Sequence, residues 1–167
     1  MMIRAKVLVK YGDNIPTEII LPSFCISSYE PEKMAKEVFR GIDPDFSEKM
    51  AAGGILLAGK NFGCSSSREW APVALKAAGV KLILADFFSR IFYRNAISIG
   101  LPIMEYAGIS KKLEVGDEVE ADVLNGILSI VKTNELLNVT PMPPFLLERM
   151  EKGGLIPFLK EEVAEKR

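Results

Sequence analysis

Between residues 63 and 69 the chain reads Gly-Cys-Ser-Ser-Ser-Arg-Glu. Three consecutive hydroxyls, a glycine that lets backbone approach a guest closely, and an arginine able to grip two oxygens at once are suited to holding a carboxylate or phosphate. The stretch lies between a continuous apolar run, Ile55 to Ala58, and a helical pattern that begins near Ser67 and runs to Gly79. It therefore sits where a helix start offers free backbone N–H groups. Arg68 in the first turn opposes the helix dipole, which favours acidic residues at that end, and a bound anion would balance it. Pro72, past that turn, denies the Arg68 carbonyl its usual partner and bends the start. A purely structural role competes: Ser66 as N-cap with Glu69 three residues later is a capping box, worth about 1 kcal/mol. Both readings stand on these residues alone.

Absences narrow the chemistry further. The 167 residues contain no histidine, which excludes from this chain the commonest general base, the commonest metal ligand and every Ser-His or Cys-His nucleophile. Two cysteines, Cys25 and Cys64, are too few for an iron–sulfur cluster or a four-ligand structural zinc site, so any transition metal belongs to another chain. Both are expected to be reduced thiols. Lys+Arg of 21 against Asp+Glu of 22 give a net charge of −1, which argues against a nucleic-acid partner. No apolar run is long enough to cross a bilayer and the N-terminus lacks the pattern of a signal peptide, so the expected setting is cytoplasmic, with no membrane. With 49% apolar and 26% charged residues the chain should fold. Gly54 to Lys60 has the spacing of a phosphate-binding loop, but Asn61 stands where the magnesium-ligating hydroxyl belongs and the residues between the glycines are strand-like.

The elements that must position the Gly63–Glu69 stretch follow from periodicity. Ile3 to Lys10 reads as a strand ended by Gly12-Asp13-Asn14, and Glu18 to Leu21 as a second, closed by Pro22. Ser23 to Ser28 forms a small-residue loop before a helix from Pro31 to Phe39, capped by Gly41. Asp45 to Met50 is a further helical turn. Ile55–Ala58, Lys81–Ala85 and Leu101–Met104 read as buried strands, separated by helices ending at Gly79 and Gly100, which is a parallel βαβαβ unit. Val119–Val123 and Ile127–Val131 flank Asn125-Gly126, a hairpin signal. Residues 143–167 form a helical tail interrupted at Gly153-Gly154 and Pro157. No boundary divides the chain, so the expectation is one α/β domain over residues 1–167.

Several motifs then come together. Gly59-Lys60-Asn61-Phe62-Gly63-Cys64-Ser65-Ser66-Ser67-Arg68-Glu69, Ala71-Pro72, Ala74 to Gly79, Ser89-Arg90-Ile91-Phe92, and Arg94-Asn95-Ala96 to Pro102 resemble the small subunit of isopropylmalate isomerase and homoaconitase, the counterpart of the aconitase swivelling domain. Gly12 to Ile19 resembles that family's opening loop. The resemblance implies an aconitase-type swivelling β/β/α fold and the small subunit of a heteromeric hydro-lyase that dehydrates and rehydrates a small hydroxy dicarboxylic acid. Isopropylmalate, an intermediate of leucine biosynthesis, is the first choice. It implies that Ser66 is the base for the carbon-bound proton and that Ser67 and Arg68 hold a substrate carboxylate. It also implies that a [4Fe-4S] cluster on a separate large subunit acts as Lewis acid. A serine of free pKa above about 13 needs several units of stabilisation at about 1.36 kcal/mol each. A helix start supplies at most about 2 kcal/mol, so the isolated chain should be inactive until a partner closes the cleft.

The chain departs from the family at three places. Trp70 replaces a common histidine and reads as a packing residue of the helix face, with a share in the subunit interface as alternative. Glu18 replaces the usual aspartate, leaving open what Thr17 and Glu18 do for the substrate. In the substrate-distinguishing loop, Cys25, Ile26 and Ser27, with Ser28, stand where relatives carry Tyr-Leu-Val-Tyr or Tyr-Leu-Arg-Thr. No arginine lies between Pro22 and Phe39, which argues against citrate or homocitrate, whereas Cys25 and Ile26 suit isopropylmalate, citramalate or dimethylmalate. The alternatives are therefore a citramalate or dimethylmalate dehydratase or homoaconitase subunit and, from another class, a stand-alone anion-binding regulatory module. Phe87, Phe88, Phe92 and Tyr93 read as core, and Arg90 and Arg94 as paired with Asp86, as contacts for a partner or as a solvated face.

Overall fold

A computed structural model describes residues 1–25 and 28–165, with Cys25 described by its backbone. The first strand, β1 (Met2–Lys10), is followed by three short helices, α1 (Thr17–Ile20), α2 (Pro31–Ala35) and α3 (Phe46–Met50). Then come β2 (Gly54–Ala58), α4 (Trp70–Ala77), β3 (Val80–Ala85), α5 (Arg90–Ser98), β4 (Ile103–Glu105) and α6 (Ile109–Lys112). The chain ends with β5 (Glu118–Asp122), β6 (Ile127–Ile130), β7 (Glu135–Asn138), α7 (Pro144–Glu151) and α8 (Leu155–Glu165).

The strands form one sheet in the order β4-β3-β2-β1-β5-β6-β7. β1 serves two masters. Its Met2–Lys6 part pairs antiparallel with β5, from Met2↔Asp122 to Lys6↔Glu118. Its later part pairs parallel with β2, from Val7↔Ile55 to Lys10↔Leu57, and the register shifts between Val7 and Val9. β2, β3 and β4 continue the parallel side, and β5, β6 and β7 make an antiparallel meander. Burial follows this division. Every residue of β2 is buried, as expected of a parallel strand covered on both faces, whereas β5 alternates between half-buried and buried.

The expected βαβαβ unit and the Asn125-Gly126 hairpin are present, and Gly54–Ala58 is a strand rather than a phosphate-binding loop. Other expectations are corrected. Residues Thr17–Ile20 are helical, not a strand, because the Pro16 carbonyl accepts the Ile19 and Ile20 amides. The α2 helix ends at Ala35, well short of Gly41, and the chain reverses at Phe39, which holds φ +55° and donates its amide to the Ile20 carbonyl. α4 begins at Trp70, with Glu69 as N-cap and no side-chain cap bond, so the Ser66/Glu69 capping box does not form. Pro72 then falls within the first turn, where its missing N–H removes no bond and imposes no bend. The tail breaks at Gly153-Gly154, both at positive φ, but Pro157 sits in the first turn of α8 and does not interrupt it. The antiparallel strand β7 and the short helix α6 carried too weak a pattern to be read from the sequence.

Candidate active site

The opening loop after β1 and the serine-rich loop after β2 leave neighbouring parallel strands at their carboxyl ends, where open α/β sheets carry their ligand sites. Backbone bonds fasten one to the other. The amides of Gly63 and Cys64 donate to the Ile15 carbonyl at 2.8 and 3.3 Å, and the Thr17 amide donates to the Cys64 carbonyl at 3.0 Å. Pro16 and Cys64 form a parallel bridge. Three residues of the serine-rich loop hold left-handed backbone: Asn61 (φ +61°), Gly63 (φ +76°) and Ser65 (φ +75°). Gly63 has no alternative, since a Cβ there would lie 2.2 Å from the buried Phe92 ring.

This folding turns Ser66 away from α4 and toward α1. Its hydroxyl donates to Glu18 Oε1. Thr17, 1% exposed, places Oγ1 3.1 Å from both the Oγ and the carbonyl of Ser66 and 3.3 Å from Glu18 Oε2. With the Ser66 hydroxyl directed at Glu18 Oε1, Thr17 has three acceptors for its own proton: the two Ser66 oxygens and Glu18 Oε2. Ser65 Oγ lies 3.4 Å from Glu18 Oε1, and Arg68 Nη2 3.7 Å. Arg68 also donates from Nη1 to the Leu21 carbonyl at 3.3 Å, which ties the serine-rich loop to the backbone just before the Ser23–Ser28 loop. The hydrogen bond from Ser66 above all, then the Glu18 backbone amide, the Arg68 charge and Thr17, hold the Glu18 carboxyl below the ordinary carboxylate range against the opposing push of burial.

The anion that the sequence places beside Arg68 is thus supplied, within this chain, by Glu18. Ser66 and Arg68 both reach Glu18 Oε1, and Ser67 is exposed between them. Cys25 ends a short 3₁₀ turn, Ser23–Cys25, while Ile26 and Ser27 lie outside the described residues. Thr17 and Glu18 are the residues whose part the sequence left unassigned. Pro16 opening a helix with an acidic residue in its first turn was the available signal. Around the site, Trp70 is half-buried and packs on Tyr29 at 5.1 Å between ring centroids. Phe88 and Phe92 are core, with Phe62 edge-on to Phe92 at 5.2 Å, but Phe87 is half exposed. Asp86 pairs with neither Arg90 nor Arg94: it accepts the amide and hydroxyl of Ser110 at 2.8 and 2.9 Å. Cys64 is a free thiol.

Comparison with known proteins decides the family. Residues 29–107 match the aconitase C-terminal domain. The isopropylmalate/citramalate isomerase small subunit of Methanocaldococcus jannaschii is 47% identical over 93% of each chain. The 3-isopropylmalate dehydratase small subunit of Halothermothrix orenii is 45% identical over 96% of each. The chain belongs to the 3-isopropylmalate dehydratase small-subunit family. A crystal structure of 3-isopropylmalate dehydratase from Methanocaldococcus jannaschii superposes with a TM-score of 0.89 at 34% identity, covering 99% of this chain and 98% of that one. The fold of this family member is therefore the aconitase-type swivelling domain, and the resemblance carried by the Gly59–Glu69 motif holds over nearly the whole chain. A family member of this kind is one half of a heteromeric enzyme.

Proposed function

We propose that this chain is the small subunit of a two-chain hydro-lyase that isomerises 2- and 3-isopropylmalate by dehydration and rehydration. The observation that carries the reading is the meeting of Ser66, Thr17, Glu18 and Arg68 across two loops in a chain 45% identical to a named 3-isopropylmalate dehydratase small subunit. In this reading Ser66 takes the carbon-bound proton. Ser67 and Arg68 receive a substrate carboxylate, and the planar guanidinium suits two-point recognition. Cys25, Ile26 and Ser27 are assigned in this reading to selecting the group that distinguishes one substrate from another, an assignment that rests on their types in the sequence. Citramalate is the second substrate to test, because one relative is named for both acids.

The chain's own residues do not suit an iron–sulfur cluster. It has two cysteines and no histidine, and among the described residues no three His, Cys, Asp or Glu side chains gather as a metal site. The cluster belongs in this reading to the large subunit, where it would act as Lewis acid toward the departing hydroxyl. Among the described residues no helix is long and apolar enough to cross a membrane, and the proposed setting is cytoplasmic.

Co-expression with the large subunit and assay of hydration of unsaturated diacids test the reading. The pair should turn over isopropylmalate, each chain alone should not, and a Ser66→Ala pair should lose at least about 10²-fold in kcat. Turnover by this chain unaided, or full rate in the Ser66→Ala pair, would overturn it. A stand-alone anion-binding module would instead run alone through purification, with no brown, cysteine-rich partner.

A further inference from the structure

We propose that Glu18 is the terminal proton acceptor behind Ser66: as Ser66 Oγ takes the carbon-bound proton of the substrate, its own hydroxyl proton passes to Glu18 Oε1. This rests on the reading of Ser66 as the base and says how a serine can be one. The bookkeeping closes within the site. The C–H bond breaks and a new O–H bond forms at Ser66. The old Ser66 O–H bond breaks and an O–H bond forms at Glu18. The C–H electron pair becomes the second bond of the alkene as the hydroxyl departs with its own pair, and hydration runs the same steps backward.

A free serine alkoxide at neutral pH is a species rarer than about one in 10⁶. Passing the proton on as it arrives avoids that species, because the final acceptor is a carboxylate. The geometry supplies the parts. The Ser66 hydroxyl already points its proton at Glu18 Oε1. Thr17 Oγ1, 3.1 Å away, can donate to Ser66 Oγ and steady the charge that develops there. The Glu18 side chain is 36% exposed, so a proton received can leave to water before the next turnover. Among the described residues, the hydroxyls of Thr17, Ser65 and Ser66 and one charged group, the Arg68 guanidinium, face the carboxylate. A substrate carboxylate on Arg68 offsets that charge, so it makes Glu18 a better acceptor when substrate is in place. Because Glu18 acts through Ser66, it is a positioning and proton-accepting residue rather than one that touches substrate.

The test is Glu18→Gln in the complex with the large subunit. Glutamine keeps the length and can still accept the Ser66 hydrogen bond, but it cannot take the proton. We expect kcat to fall about 10²–10⁴-fold with KM within about threefold. The residual kcat should also climb about tenfold per pH unit from pH 6 to 9, since the alkoxide must then form by loss of a proton to solvent. The parent complex should be level over the same range, and Glu18→Asp should return to within about tenfold of it. Should Glu18→Gln not assemble, Glu18→Ala with added formate replaces it, and formate-dependent recovery of rate is the expected result. A Glu18→Gln complex that keeps its rate overturns the proposal, as does one that loses rate yet keeps a level pH profile, or an alanine variant that formate does not help. Ser66→Ala separates the two readings: full rate there removes Ser66 itself, whereas a Ser66→Ala loss beside an unaffected Glu18→Gln removes only the relay.

Discussion

The two sides of β1 share one strand, are paired by different ladders, parallel to β2 and antiparallel to β5, and do different work. On the parallel side, β2 and most of β3 are buried through and through, and their carboxyl ends open into loops whose polar groups bond to one another across 40 to 50 residues of sequence, as Ser66 does to Glu18 and Thr17. On the antiparallel side, β5 alternates and its partly exposed carboxylates pair with a cation on the neighbouring strand, Arg4 with Glu118 and Glu120, while Asp117 just before β5 pairs with Lys132. Change on the parallel side therefore reaches both packing and the site. Change at the exposed positions of the antiparallel side meets mostly water, although its inner face, with Val119, Ala121, Leu128 and Ile130, is buried.

Two glycines at positive φ put that contrast to its hardest test. At Gly63 (φ +76°) a Cβ would meet Phe92 Cγ at 2.2 Å, inside the Phe62–Phe88–Phe92 aromatic cluster, whereas at Gly116 (φ +97°) it would meet nothing within 4 Å. Backbone strain alone costs about 1 kcal/mol, and overpacking a closed aromatic site adds about 1–3 kcal/mol. Gly63→Ala should lower the melting temperature by about 6–12 °C and Gly116→Ala by about 2–4 °C. Equal losses in thermal melts of the isolated subunit would mean that the two sides do not differ in packing.

Two arginines sharpen it at the level of function. Arg68 is held between the Leu21 carbonyl and Glu18, while Arg4 is 61% exposed between two surface carboxylates. In the complex, Arg68→Lys should raise KM about 10–100-fold, because an ammonium cannot present the paired donors of a guanidinium. Arg4→Lys should leave KM unchanged and cost no more than a surface ion pair. An unchanged KM for Arg68→Lys would remove that residue from carboxylate binding.

Much of the parallel side was legible in the sequence because burial on both faces writes itself as apolar runs, Ile55–Ala58 and Leu82–Ala85 among them, and the Gly63–Glu69 motif pointed to the site. The partners of that motif were not legible. Ser66 three residues before Glu69 carries a capping-box pattern, yet its hydroxyl goes to Glu18, a contact 48 residues distant that local pattern cannot encode. For the same reason Glu18–Leu21, with β-branched Ile19 and Ile20, reads as a strand until the Pro16 carbonyl is seen to take two amides. Strand β7 has four residues with one buried, too little periodicity to stand out from a loop.

The smallest expected effect concerns acid, and it divides the two sides by consequence. Asp117, on the turn before β5, accepts from Lys132 Nζ at 2.7 Å and from the Glu114 amide at 2.8 Å. The Lys132 hydrogen bond first, then the Glu114 amide, hold its carboxyl below the ordinary range against burial, with the charges of Lys132 and Lys10 adding to them. A depressed folded value means that the stabilisation is complete above the unfolded pKa, about 3.9, and drains away as pH falls from there through the folded value. Urea unfolding of the isolated subunit should thus place Asp117→Asn about 1 kcal/mol below the parent at pH 7, with the gap closing as pH falls below about 4. Glu18 is depressed in the same direction, but its protonation removes the acceptor behind Ser66, so its loss should register in kcat. A gap between parent and Asp117→Asn that stays constant into acid would show that the carboxylate contributes shape rather than charge, and would erase the distinction between the two titrations.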